Sequence, residues 1–215
     1  MKVLVLGAAA EPGRAVVAKA LDAGHQVTAV VPRGGQVTPG HERLAILVGD
    51  VTDRSFVDSA VSGQDAVVSV VGVDSRRPTT VYSETAANIV AALEKAAEQA
   101  KPGRVVCLSS SEVDADGPGL SLFHRIYRKL IIHRRYRNLL NDMSRMEDEL
   151  RRSDLDWTVL RPARLRPGPS TGRYRTAIGA RVPDGRALFT GDLGHYLATR
   201  LDDRATYRNV VELAY

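Results

Sequence analysis

A run of strand-forming apolar residues, Val3 to Leu6, stops at Gly7 and gives way to the small residues Ala8, Ala9 and Ala10. Glu11, Pro12 and Gly13 then open an amphipathic segment from Pro12 to Ala23. Strand, tight turn and helix in that order leave few folds open. The free N–H groups and the dipole at a helix N-terminus attract an anion, and small turn residues let a pyrophosphate approach the backbone. The opening reads as a dinucleotide-binding βαβ unit. Glycine also ends strands for steric reasons alone, so this turn needs support from the rest of the chain.

That support comes from the order of the segments. Gly24-His25 closes the first helix, and Gln26 to Val31 reads as a second strand. Pro32-Arg33-Gly34-Gly35 follows it with no acid. An Asp or Glu at this strand end takes a ribose 2′-OH, whereas an arginine suits a 2′-phosphate, so NADP is expected over NAD. The alternative for Arg33 is an ordinary loop arginine. A third strand, Leu44 to Val48, runs into Gly49-Asp50-Val51, and a polar helix spans about Ser55 to Val61. The fourth strand, Asp65 to Val71, is almost continuously apolar, as parallel strands covered on both faces are. Gly72 ends it. Thr79 to Ala100 has helical periodicity, with Val81, Ala86, Ile89, Val90 and Leu93 on one face. Arg104 to Leu108 is a fifth strand, closed by Ser109-Ser110-Ser111.

Beyond it the pattern loosens. Asp114 to Gly119 is rich in turn residues, and Leu120 to Leu140 carries Arg125, Arg128, Lys129, Arg134, Arg135 and Arg137. Helix resumes through Met143 to Leu150 and ends near Ser153; a sixth strand, Asp156 to Leu160, meets Arg161-Pro162. Residues 164–185 form a Pro/Gly/Arg-rich excursion, a length at which loops are usually functional or mobile. A last strand, Arg186 to Thr190, leads through Gly191-Asp192-Leu193-Gly194-His195 into a helix to about Leu201, and a closing strand runs near Tyr207 to Leu213. The alternation of β and α predicts an α/β fold, a Rossmann-type doubly wound parallel sheet in a single domain over residues 1–215. Segments 114–140 and 164–185 are expected on the substrate side. In such sheets the ligand crosses the carboxyl ends of the strands, which gathers Gly7 to Gly13, Arg33, Asp50, Gly72, Ser109 to Ser111 and Pro162 to Arg164 along one edge.

Composition narrows the class. With 44% hydrophobic and 26% charged residues, the chain resembles an ordinary soluble domain. No apolar run approaches the roughly 20 residues that span a bilayer. The first strand begins at once, so no secretion signal is expected. The lone Cys107 fits a reducing compartment and reads as buried filler, so a cytoplasmic location is expected. The net charge of +5 suits anionic partners, and a nucleotide satisfies it as well as nucleic acid does.

Several blocks together resemble the atypical short-chain dehydrogenase/reductases, in particular the NAD(P)H-binding flavin reductase and biliverdin-IXβ reductase group beside the NmrA-like proteins. They are Val48 to Val51, Val61 to Val67, Thr79 to Glu84, Asn88 to Ala92, Arg104 to Val106, Leu155 to Thr158, Thr171 to Tyr174 and Asp192 to His195. The resemblance implies that Gly7, Ala9, Ala10, Glu11, Pro12 and Gly13 hold the pyrophosphate, with Arg33 near the 2′-phosphate. Asp50 and Val51 would bracket the adenine. Val71 and Gly72 would be cofactor-side residues, Gly72 passing under the ribose. Pro162 and its neighbours would lie near the nicotinamide, and Ser109 is expected among the cofactor-binding residues. Ser110 falls at the superfamily's active-site serine, and Arg164 stands where the mammalian biliverdin-IXβ reductase has histidine.

Departures from the family pattern carry as much information. Ala10 replaces the middle turn glycine, and Pro32 occupies the place of the arginine found in related flavin reductases, displacing it to Arg33. No tyrosine of this chain is followed four residues later by lysine. Leu139 and Met143 stand where the Tyr–Lys pair should precede Glu147. A ketone reduced by hydride needs a positioned acid for its alkoxide. A flavin (FMN or FAD) or quinone acceptor does not, and orientation of two rings then provides most of the catalysis. In that reading Ser110 orients the acceptor and Arg164 stabilises negative charge; alternatively, the serines cap a strand end and bind a carboxamide.

The function expected is an NADPH-dependent reductase of a flavin or similar conjugated acceptor. The alternatives are a non-catalytic NADP-binding sensor, or a reductase or isomerase of a specialised metabolite. The stretch Arg125 to Arg137 reads as a solvated helix face, a rim for an anionic acceptor, or a nucleic-acid backbone site. No recognised nucleic-acid module accompanies it. His124, His133 and His195 lack metal-ligand spacing, so no metal is expected. The partner is a small-molecule acceptor, not a membrane, and the sequence leaves the oligomeric state open.

Overall fold

The computed structural model describes residues 1–33, 40–73, 78–97, 103–113 and 133–215. Strands β1 (Lys2–Leu6), β2 (Gln26–Val31), β3 (Leu44–Val48), β4 (Ala66–Ser69), β5 (Arg104–Leu108) and β6 (Asp156–Pro162) alternate with helices α1 (Glu11–Asp22), α2 (Arg54–Val61), α3 (Val81–Ala97) and α4 (His133–Arg152). Two short strands, β7 (Arg164–Arg166) and β8 (Arg175–Ile178), precede β9 (Ala187–Phe189), α5 (Thr190–Arg200) and β10 (Asn209–Ala214). The main sheet has the order β3-β2-β1-β4-β5-β6-β10-β8. Every neighbouring pair in it is parallel except β10 and β8. This is the Rossmann-type α/β fold expected from the alternation.

The period-two alternation of β1 divides the interior in two. Val3 and Val5 face one core with Val16 and Val17 of α1 and Leu193 and Leu197 of α5. Leu4 and Leu6 face the other, with Val57 of α2, Ile89 of α3 and Met146 and Leu150 of α4. A strand covered on both faces has to be apolar at every position, which is why β1 and β4 read as continuous hydrophobic runs.

Asp142 ties two helices of the second core together. It is fully buried on α4, and its carboxylate accepts from the N–H groups of Tyr82 (3.0 Å) and Ser83 (3.4 Å) and from the Ser83 hydroxyl (2.5 Å). A residue 60 positions away thus caps the start of α3, satisfying N–H groups that have no intrahelical acceptor.

The structure corrects the sequence reading in two places. Residues 164–185 are no bare loop: β7 pairs in parallel with β9 as a small second sheet, and β8 adds an antiparallel edge strand to β10. Buried carboxylates fix this segment, since Glu212 accepts from the Val182 N–H at 2.8 Å and Asp192 holds Thr171 and Gly172. Helix α4 also begins at His133, earlier than Met143. It runs through a non-helical Tyr136 (φ −117°, ψ 18°), and its buried stripe includes Leu140, Met143, Met146 and Leu150. Residues 114–132 lie outside the described residues, and with them Arg125, Arg128 and Lys129 of the basic stretch. Arg135 and Arg137 are exposed on the first turns of α4.

Candidate functional site

The turn between β1 and α1 is built by close backbone packing. Gly7 has φ +83°, and a Cβ there would lie 2.8 Å from the carbonyl oxygen of Val70. A Cβ on Gly13 would lie 2.2 Å from the carbonyl oxygen of Gly7, so only glycine lets the helix start this near the strand end. The Ala8 N–H donates to the carbonyl of Val30 on β2 (3.1 Å), which seats the turn against the neighbouring strand. Ala10 is the N-cap of α1 and provides no side-chain cap, and Pro12 has no N–H to satisfy. The helix therefore presents its N-terminus uncapped by any side chain, as an anion site requires.

A cleft of about 540 Å³ opens over this turn across the carboxyl ends of β1 to β4. Gly7, Ala9 and Ala10 form one wall and Val71 and Gly72 another; Arg33, Asp50 and Val51 close the far end. Gly72 has open space where a Cβ would stand, the Tyr82 hydroxyl lying 4.0 Å away, so a ligand can pass close to the backbone. Arg33 is exposed at the end of β2. Glu11, Pro12, Gly13, Ser109 and Pro162 are not among the residues lining this cleft.

The far end of the cleft depends on residues outside the candidates. Asp50 turns one carboxylate oxygen back onto the N–H (2.9 Å) and hydroxyl (2.7 Å) of Thr52. Asn88 of α3 donates its amide to the carbonyls of Thr52 (3.0 Å) and Val51 (3.4 Å), pinning the loop that carries both. The Phe56 ring fills the place of a Gly49 side chain, 2.2 Å from where its Cβ would be. Asn88 and Gly49 stood in the family-like blocks, which was the only sequence signal for them.

At the carboxyl ends of β5 and β6 the candidates separate. The Ser109 hydroxyl donates to the fully buried Glu147 at 2.6 Å. Glu147 also accepts two bonds from Arg161, at 2.9 and 2.6 Å, and one from Arg151 at 2.6 Å. This carboxylate bolts α4 to the ends of β5 and β6. Ser110 Oγ accepts from the Glu112 N–H (3.2 Å) and closes a turn. The Ser111 N–H donates to the carbonyl of Pro162 (3.2 Å), joining the two strand ends. Arg164 is exposed on β7, and neither it nor Ser110 lines the cleft. Met143 is buried and Leu139 half-buried against the second core, so the places of a Tyr–Lys pair hold packing residues.

Two of the family-like blocks meet each other and not the cleft. Asp192 accepts from the Thr171 N–H and hydroxyl (both 2.7 Å), the Gly172 N–H (2.8 Å) and the Tyr215 hydroxyl (2.6 Å). Burial alone would raise its carboxyl pKa, but these donors outweigh burial and hold it below the ordinary aspartate value. Tyr174 and His195 are joined by a 2.9 Å hydrogen bond. Cys107 is buried, and burial pushes its thiol up to about 12, against a smaller opposing effect of the Ser69 hydroxyl. It is filler, as its apolar surroundings predicted.

Residues 7–204 match the model of a family described as NAD(P)H-binding. Among solved structures, a short-chain dehydrogenase/reductase of Veillonella parvula in complex with NADP superposes with a TM-score of 0.77. It is 17% identical, over 100% of this chain and 94% of that one. A protein of Streptococcus pneumoniae, proposed to be an NADH-flavin reductase, gives 0.74 at 19% identity over 100% and 99% of the two chains. One of Bacillus halodurans, proposed to be an NAD-dependent epimerase/dehydratase, gives 0.73 at 24% over 100% and 94%. No described helix is long and apolar enough to cross a membrane. The match spans the glycine turn, helix α1 and the cleft above them, and this chain belongs to the NAD(P)H-binding family.

Proposed function

We propose that this protein is an NADPH-dependent reductase whose acceptor is a flavin or a similar conjugated ring. The observation that carries the reading is the pairing of a coenzyme-sized cleft with a strand-end environment where Leu139 and Met143 stand in place of a proton relay. The uncapped N-terminus of α1 suits the pyrophosphate, and Glu11, Pro12 and Gly13 shape that turn. Arg33 takes the 2′-phosphate and gives the preference for NADP(H). Asp50 and Val51 flank the adenine, and the open space over Gly72 beside Val71 admits the ribose.

NADPH supplies a hydride at its nicotinamide ring, next to Ser109 and Pro162 in this reading. A ketone would need a positioned acid at that point, whereas a flavin or quinone ring spreads the resulting charge and draws its proton from water. The chain's task is then to orient and to stabilise. Ser110, whose oxygen already accepts from Glu112, has its own proton to give to the acceptor. Arg164, exposed beyond Pro162, stabilises negative charge there.

Steady-state oxidation of NADPH with FMN, FAD, riboflavin and quinones tests this. Turnover on at least one of them is expected, and Ser110→Ala should lower it by about tenfold or less if the hydroxyl only orients. Tight NADP binding with no turnover on any acceptor would overturn the reductase reading in favour of a nucleotide-sensing protein.

A further inference from the structure

The first turn of α1 carries two charged side chains, and the fold sorts them. The Glu11 carboxylate is turned away to the hydroxyl of Thr190, which is buried at the start of α5. Arg14, one residue beyond Gly13, folds the other way. Its guanidinium donates to the carbonyl of Ala9, and Ala9 lines the cleft. The acid is thus withdrawn from the helix start, while a cation is held on the carbonyl of a residue that lines the cleft.

Charge around the cleft gives that sorting a purpose. Among the described residues that line it, Arg33 is the only cationic one and Asp50 the only acidic one, with one oxygen committed to Thr52. A phosphate monoester carries about −1.5 to −2 charges at neutral pH, more than one exposed guanidinium neutralises. The turn that anchors Arg14 adjoins β2. Ala8, next to its anchor Ala9, bonds to Val30, and Arg33 follows Val30 by three residues. A guanidinium has five N–H donors, and the bond to Ala9 uses one of them while fixing the direction of the others.

We propose that Arg14 is a second specificity-determining residue for the coenzyme, acting with Arg33 on the 2′-phosphate. The inference rests on the reading of Arg33 given above. Arg14 is exposed and caps nothing in its own helix, so its substitution leaves the packing of α1 intact.

Fluorescence titration of the full chain with NADPH, NADH and 2′,5′-ADP tests it, with thermal unfolding as the control for folding. Arg14→Ala should weaken NADPH and 2′,5′-ADP by about five- to tenfold, the effect of losing one partly solvated charged contact, and NADH by less than about twofold. Arg14→Lys should recover part of the loss. Equal weakening of NADPH and NADH would place Arg14 at the pyrophosphate and overturn the proposal, as would unchanged NADPH binding. Arg33→Ala separates the two levels. If it discriminates between the coenzymes and Arg14→Ala does not, the Arg14 assignment alone fails; if neither discriminates, the 2′-phosphate reading fails with it.

Discussion

Two positions of the first turn show how differently single residues contribute. Gly13 is a packing requirement, because any Cβ would meet the Gly7 carbonyl at 2.2 Å. Gly13→Ala should therefore cost about 1–3 kcal/mol of stability, as overpacking does, measured by denaturant unfolding, and should weaken NADPH and NADH alike. Arg33 is the opposite case, exposed at the end of β2 where no packing depends on it. Arg33→Glu should weaken NADPH about tenfold or more beyond any effect on NADH, since it replaces attraction of a phosphate by repulsion. Equal changes in the two dissociation constants would remove Arg33 from the 2′-phosphate site. Ala10, at the place of the family's middle glycine, lines the cleft as the N-cap of α1.

Among the elements, the carboxylates decide where helices and strands meet. Asp142 caps α3, Glu147 joins α4 to the ends of β5 and β6, and Asp192 holds residues 171–172 over α5. Because Asp192 titrates below its ordinary value in the folded protein, its contribution to stability is complete above about pH 4. It is lost as the pH falls through the depressed folded value. Asp192→Asn should flatten that acid limb in pH-dependent unfolding and lower stability at neutral pH; an unaltered acid limb would show that other carboxylates dominate it. None of these three roles was legible in the sequence, because the partners on other elements are more than ten residues away and an isolated acid carries no period. What was legible was local or repetitive: the apolar runs of β1 and β4, the glycine turn, and the helical stripe of α3. The 164–185 segment read as a loop because β7 and β8 are three and four residues long, too short for a visible alternation. Their pairing is set by partners late in the chain. Thr171 to Tyr174 and Asp192 to His195 were visible as family-like blocks. Their mutual contact, which makes them part of the scaffold, exists only in the folded chain.

For the molecule as a whole, the strand order places Gly7, Arg33, Asp50 and Gly72, which are far apart in sequence, around one cleft. That convergence was foreseeable from the rule that ligands cross the carboxyl ends of parallel strands. The division within the candidate set was not: Ser110 and Arg164 stand beyond the ends of β5 and β6, away from this cleft. The cleft is lined by backbone turns at the ends of β1 to β4, whereas Ser110 and Arg164 follow β5 and β6. The central claim is that the cleft takes a reduced nicotinamide coenzyme and prefers its phosphorylated form. Titration calorimetry of the purified full chain with NADPH and NADH tests it most directly. One site per chain with tighter binding of NADPH is the predicted result; no heat with either coenzyme, or tighter binding of NADH, would contradict it.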